Sequence, residues 1–192
     1  MRLALVGPPL CGKSTQAKML SEKYSIPRIS PGDLFREEMA RGSGIGLRVQ
    51  KMVNSGKLVP DRIVIDIVKR HLEKPQCQSG FVIDGFPRTI RQARFLSEYL
   101  NSKGTRLDRM IVLDIPEEEV FRRAVVRRKE GDRKDDESDK TLSSRMKTYQ
   151  NQTMQAIKYF ENQGIASHID GTLTIPQVFE NILLLLSRNT SR

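Results

Sequence analysis

Gly7-Pro8-Pro9-Leu10-Cys11-Gly12-Lys13-Ser14 fits the pattern G-x-x-x-x-G-K-[ST] without a mismatch. Its flanks are those such a loop requires: Leu3-Ala4-Leu5-Val6 reads as a short apolar strand, and residues 14–24 as a helix with Ala17 and Leu20 on one face. Strand, glycine-rich loop and helix in this order make a phosphate cradle. Successive backbone N–H groups turn inward, the helix adds the positive end of its dipole, and Lys13 brings a full cation to the outer phosphates. The hydroxyl of Ser14 can ligate Mg2+. Nucleotide binding follows from the loop, but no reaction does.

Outward from the loop, candidate strands fall at residues 2–6, 28–30, 81–83, 110–113 and 165–169, with helical segments between consecutive pairs. Alternating strands and helices predict an α/β fold: a P-loop, doubly wound, five-stranded parallel sheet covered by helices on both faces, with ligands at the carboxyl ends of the strands. Residues 141–163 place Leu142, Met146, Tyr149, Thr153, Ile157 and Phe160 at steps of three and four, which predicts one helix of about six turns. Residues 31–72 read as a helical insertion, broken at Gly42-Ser43-Gly44 and again from Ser55 to Pro60. Residues 128–140 are polar and charge-dense, and read as a mobile loop.

The chain's 192 residues suit a single domain. Its parts are a core of residues 1–30, 73–127 and 141–192, the insertion 31–72 and the loop 128–140. No apolar run approaches a membrane span, and the amino terminus feeds straight into the loop, so a soluble, cytoplasmic monomer is expected. Cys11 and Cys77 are too few for a disulfide framework or a four-ligand zinc site, and read as free thiols. The net charge of +10 fits nucleic acid or a small polyanion. Position favours the polyanion, because the basic cluster of residues 122–134 carries no interleaved aromatic platform.

Asp84 follows the third strand directly, so it stands at the carboxyl edge of the sheet, where a carboxylate can hold Mg2+ through water. The turn Gly85-Phe86-Pro87-Arg88-Thr89 then ends in a guanidinium suited to gripping a phosphate. Taken with the phosphate loop, Val82-Ile83-Asp84-Gly85-Phe86-Pro87-Arg88-Thr89 resembles the adenylate kinase branch of the nucleoside monophosphate kinases, in its short-lid form, and the likeness runs through nearly the whole chain. Ser30-Pro31-Gly32-Asp33-Leu34-Phe35-Arg36 and Gly56-Lys57-Leu58-Val59-Pro60-Asp61 resemble the family's monophosphate-binding motifs. Arg123, Arg127, Arg133-Lys134-Asp135-Asp136 and Arg145 resemble its lid arginines and their neighbours, and Asp170-Gly171-Thr172 its late turn.

The resemblance implies transfer of the γ-phosphoryl group of MgATP to AMP. Leu10, Cys11, Gly12, Lys13, Ser14 and Thr15 would wrap the ATP phosphates, with Arg123 along the adenine and the backbone of Leu173 beside it. Lys13, Arg88, Arg127, Arg133 and Arg145 would carry catalysis, the last three converging on the transferred group and Arg133 and Arg145 also reaching AMP. Arg36 and Arg88 would hold the acceptor's phosphate. Pro31, Lys57, Leu58, Val59, Gly85, Phe86 and Pro87 would surround AMP, with Gln92 reading its base. Mg2+ would be the cofactor, at Ser14 and through water at Asp84, and zinc is not expected.

Several positions depart from the family pattern, among them Arg91, where a proline often precedes the glutamine, and the stretch from Arg133 to Arg145, one residue longer than usual. Leu10 stands where glycine is usual, Ser14 where a second glycine is usual, and Pro31 where adenylate kinases carry threonine. Two other readings stay open: with Pro31 as its main support, a kinase for UMP, CMP or another monophosphate, and, from the net positive charge, a P-loop ATPase that binds RNA or protein through its basic surface.

Overall fold

A computed structural model of the protein describes residues 1–130 and 138–187. Five strands, β1 (Arg2–Val6), β2 (Arg28–Ile29), β3 (Phe81–Asp84), β4 (Arg109–Asp114) and β5 (Ala166–Asp170), form one sheet in the order β2-β3-β1-β4-β5. Every pairing is parallel. Each strand lies within a residue or so of its predicted place, the second giving up Ser30, which instead caps the following helix by accepting from the Asp33 N–H.

Strand periodicity divides the core. Ala4 and Val6 of β1, and Met110 and Val112 of β4, point into one apolar cluster, while Leu3, Leu5, Ile111 and Leu113 point into the other. Helices α4 (Asp61–Leu72) and α5 (Ile90–Ser102) cover the first face. Helices α1 (Lys13–Tyr24), α6 (Glu117–Glu130) and α9 (Ile175–Ser187) cover the second. Because the chain leaves β1 toward β2 on one side and later crosses to β4 on the other, the loop after β1 opens at the topological switch point. That loop is residues 7–12.

The insertion contains α2 (Pro31–Ala40) and α3 (Gly44–Asn54), then α4, with breaks at the expected glycines. The expected six-turn helix is corrected. It consists of α7 (Asp139–Thr148), a π-helical turn at Tyr149–Thr153 and α8 (Met154–Glu161). The physical reason lies in what each half buries: Leu142 and Met146 pack into the second cluster, whereas Ala156, Ile157 and Phe160 pack into the first. A straight helix keeps its stripe on one side, and the extra residue of a π turn rotates the later side chains to the other. The stretch read as loop 128–140 is helical at both described ends, α6 running to Glu130 and α7 starting at Asp139; Arg128 pairs with Asp139 at 2.7 Å. Its residues 131–137 lie outside the described residues.

His168 on β5 has Nδ1 2.6 Å from Asp114 Oδ2 at the end of β4 and Nε2 2.8 Å from Glu161 Oε1 at the end of α8. Both ring nitrogens face carboxylates, an arrangement that favours the doubly protonated ring. Burial would lower the ring's pKa, but the hydrogen bonds to Glu161 and Asp114 outweigh it and raise the value above 6.5. Stability from a raised histidine is fully present below its unfolded pKa and is lost as pH rises through the folded one. The apo melting temperature is therefore expected to decline as pH climbs above about 6.5. In His168→Gln that part of the decline disappears, and an unchanged profile in the variant would remove the clamp.

Candidate active site

Backbone conformation builds the phosphate side. Gly7 has φ +153°, and a Cβ there would meet the Leu113 carbonyl oxygen at 2.5 Å and Cys11 Sγ at 2.7 Å, so the chain can leave β1 this tightly only as glycine. Gly12 caps α1 in the left-handed region, and no side chain caps that helix. The Thr15 and Gln16 N–H groups both donate to the Gly12 carbonyl at 3.1 Å, so it is the very start of α1, at Lys13 and Ser14, that offers its positive end to an anion. Leu10 also sits in the left-handed region, at φ 63°. This is the conformation glycine would adopt freely, and it costs leucine about 1 to 2 kcal/mol. Packing of its side chain on the second cluster offsets part of that.

Lys13 Nζ donates to the Pro8 carbonyl at 3.2 Å and lies 4.0 Å from the sulfur of buried Cys11. Desolvation lowers the ammonium's pKa, and the charges of Arg88 and Arg145 lower it further against the opposing pull of Asp84. Arg123 ties the loop to the far edge of the sheet: Nη1 donates to the Leu10 carbonyl at 3.2 Å and Nη2 to the Gly171 carbonyl at 2.7 Å. Glu119 holds the Arg123 Nε at 2.6 Å, and the hydrogen bonds from Arg122 and Arg123 pull its own pKa down to about 2. Leu173 lies just beyond Gly171, at 36% exposure.

An open cavity separates this loop from the insertion. Lys13, Gly85, Arg88, Gln92 and Arg145 line one part of it. Pro31, Arg36, Lys57, Leu58 and Val59 line the other. Pro31 is buried at the first position of α2, where its fixed φ and missing N–H fit a helix start. Arg88 Nε donates to the Gly85 carbonyl at 2.7 Å, across the turn that contains the cis Phe86–Pro87 bond. Gly56, at φ +68°, packs so closely on α7 that a Cβ would meet Arg145 Cγ and the Thr141 carbonyl oxygen, each at 2.8 Å. The insertion and the Arg145 helix therefore touch across the cavity mouth.

Asp84 is almost fully buried. One carboxylate oxygen pairs with Arg28, which also bridges to Asp33 at 2.7 Å, and Asp33 pairs in turn with Arg36. Burial would raise the Asp33 pKa, but the hydrogen bond and charge of Arg36, with that of Arg28, hold it below the ordinary value. The other oxygen, Asp84 Oδ1, is buried without a hydrogen-bond partner. A buried carboxylate oxygen needs a partner, and a hydrated cation beside the phosphate loop supplies one, so Asp84 fits the role given to it with Mg2+.

Other predicted residues lie apart from the cavity walls among the described residues. Arg127 is partly buried on α6, Arg123 and Leu173 belong to the β4–β5 side of the loop, and Arg133 lies outside the described residues. Ser14 and Thr15 open α1 beneath the loop. Sequence reasoning missed Arg28, the first residue of β2, which lies beside β3 in register with Val82. It also missed Thr148, together with any cavity role for Tyr149 and Thr153, although all three line the cavity from α7 and the π turn. A π turn at a cavity wall is a recurrent functional placement.

The family profile described as Adenylate kinase matches residues 5–165. An adenylate kinase of Archaeoglobus fulgidus is 38% identical over 214 aligned residues, taking in 98% of this chain and 99% of the relative. One of Clostridium tetani is 37% identical over 209, with 95% and 96% covered, and one of Clostridium botulinum 38% identical over 216, with 98% and 100% covered. The phosphate loop at the switch point, the cation-lined cavity beside it and likeness along the full length agree: the chain belongs to the adenylate kinase family.

Proposed function

We propose that the cavity between the phosphate loop and the helical insertion is where ATP and AMP meet, and that its cations carry the family's reaction, reversible transfer of the ATP γ-phosphoryl group to AMP giving two ADP. The observation that carries this reading is the convergence of Lys13, Arg88 and Arg145 on one cavity, where burial lowers the lysine's pKa most and the two arginine charges lower it further. Such a cluster of positive charge in a cavity suits a polyanionic ligand. The attacking group is a phosphate oxygen already ionised at neutral pH, so the protein has no proton to remove and acts by positioning and charge neutralisation.

In this reading Leu10 to Thr15 and Lys13 hold the ATP phosphates, while Arg123 and the Leu173 backbone border the adenine. Arg36 and Arg88 grip the AMP phosphate. Pro31, Lys57 to Val59, and Gly85 enclose the nucleoside, with buried Phe86 and Pro87 backing the turn rather than lining the cavity. Arg145 faces the group in flight from the cavity wall, and Arg127 and Arg133 would join it there. Adenylate kinases use Mg2+ with ATP; Ser14 and Asp84 would hold it here, where it spreads charge over the phosphates when bound. The division into core, insertion 31–72 and short lid 128–140, a zinc-free lid, a monomeric state and a cytoplasmic address belong to the same proposal. Among the described residues, no helix is long and apolar enough to cross a membrane. The RNA reading loses support at Arg122 and Arg123, both tied to Glu119.

The test is ADP formation from ATP with AMP, GMP, CMP, UMP or no acceptor, in wild type and Arg88→Ala. AMP is expected to exceed the pyrimidine monophosphates by at least about tenfold in kcat/KM. Arg88→Ala should lose at least about 100-fold in kcat/KM for AMP while the affinity for ATP stays within a few-fold. Equal use of pyrimidine monophosphates, or an ATP affinity that falls along with AMP use, would refute the assignment.

A further inference from the structure

Gln92 is 1% exposed, yet it borders the cavity, and both ends of its amide are already engaged. Nε2 donates to Asp61 Oδ1 at 2.8 Å, and Oε1 accepts the main-chain N–H of Arg88 at 2.8 Å. The same Asp61 oxygen accepts from Thr89 Oγ1 at 3.0 Å, and Thr89 in turn caps α5 by accepting the Gln92 N–H at 3.2 Å. Asp61 is the first residue of α4, so its carboxylate reaches from one helix to the start of another and fastens both the cap and the glutamine.

These two partners differ from most that an amide meets, because neither can change role. An ionised carboxylate only accepts, and a main-chain N–H only donates. Reversing the amide would set Oε1 against the carboxylate and Nε2 against the N–H of Arg88, two repulsive contacts in a buried place. The orientation is therefore dictated by chemistry. What remains for a ligand is one N–H on Nε2 and one lone pair on Oε1, in fixed order.

That order distinguishes purines. A 6-aminopurine offers an acceptor at N1 and a donor at N6, and a 6-oxopurine held in the same pose offers the reverse, a donor at N1 and an acceptor at O6. Only an amide free to flip could serve both. We infer that Asp61 is a positioning residue for acceptor selectivity: by locking Gln92 in one orientation it admits a 6-aminopurine monophosphate and rejects a 6-oxopurine one. The inference rests on the proposed reading that Gln92 faces the acceptor's base.

The experiment measures kcat/KM for AMP and for IMP, with ATP as donor, in wild type, Asp61→Ala, Asp61→Asn and Gln92→Leu. Asp61→Ala is expected to lower the AMP-to-IMP ratio at least about tenfold, because it removes one of the two contacts that fix the amide and leaves only the Arg88 N–H to oppose its reversal toward the 6-oxopurine. Asp61→Asn keeps a carbonyl oxygen to accept both donors and is expected to hold the ratio within about threefold of wild type. Gln92→Leu should erase most of the preference. If Gln92→Leu erases it and Asp61→Ala does not, the role of Asp61 is overturned while Gln92 keeps its own. If Gln92→Leu leaves the ratio intact, the reading of Gln92 falls, and the inference with it. A merely structural Asp61 would lower melting temperature and overall rate without moving the ratio. Should Asp61→Ala fail to fold, the wild type supplies the check: a Gln92 Nε2 proton that exchanges slowly with solvent in the apo protein supports the lock, and rapid exchange of both overturns it.

Discussion

Replacing Lys13 by methionine is expected to lower kcat at least about 100-fold while leaving the apo protein no less stable at neutral pH. The two halves of that expectation come from one observation. Lys13 is held beneath the loop with few partners, a carbonyl at 3.2 Å and a sulfur at 4.0 Å, and desolvation lowers its pKa below the ordinary value. A lysine whose folded pKa is depressed opposes folding as long as it is charged. The penalty is fully present below the folded pKa and vanishes as pH rises through it toward the unfolded value. Methionine keeps the length of the chain and removes the penalty, so the apo melting temperature should hold or rise. The ammonium gains a fully charged oxygen partner when phosphate arrives, which is why its loss falls on turnover. Near-normal kcat in Lys13→Met would take the phosphate loop out of the mechanism; a fall of more than about 5 °C in melting temperature would show that the lysine supports the fold.

Features built from neighbouring residues were legible in the sequence. Gly7 to Ser14 is a local device, and its glycines, lysine and flanking periodicities sit side by side in the chain. The break residues of the insertion, Gly42-Ser43-Gly44 and the stretch from Ser55 to Pro60, act locally as well. The sheet followed from alternation. The π turn at Tyr149–Thr153 was hidden because the apolar spacing through it is that of an ordinary helix; only the faces that Met146 and Ile157 bury reveal the rotation between them. The pairings of Arg28 with Asp84 and of Asp61 with Gln92 were illegible for a different reason. Each joins residues on separate elements, and register and packing decide such contacts, as in Arg28 aligned with Val82 on the neighbouring strand. Position 10 was legible only as a departure. Its left-handed φ shows that the loop keeps its turn with leucine in place and bears the strain.

Asp84→Asn is expected to lower kcat with MgATP at least about 100-fold and also to cost stability, about 1 to 3 kcal/mol, or some 2 to 10 °C in melting temperature. The carboxylate has two oxygens in two situations. One neutralises Arg28 inside the fold, and the other is buried without a hydrogen-bond partner beside the phosphate loop. Asparagine keeps the shape but loses the charge that both depend on. The stability loss is moderated because Arg28 retains Asp33 at 2.7 Å. Arg28→Met separates the two roles, since it breaks the ion pair and leaves the Asp84 charge in place. It should destabilise the protein comparably yet keep kcat within about tenfold of wild type and leave the Mg2+ concentration for half-maximal rate nearly unchanged, whereas Asp84→Asn shifts that concentration upward at least about tenfold. If Arg28→Met costs as much turnover as Asp84→Asn and both respond to Mg2+ like the wild type, then Asp84 serves only to hold β2 against β3, and its buried free oxygen has no part in handling the metal.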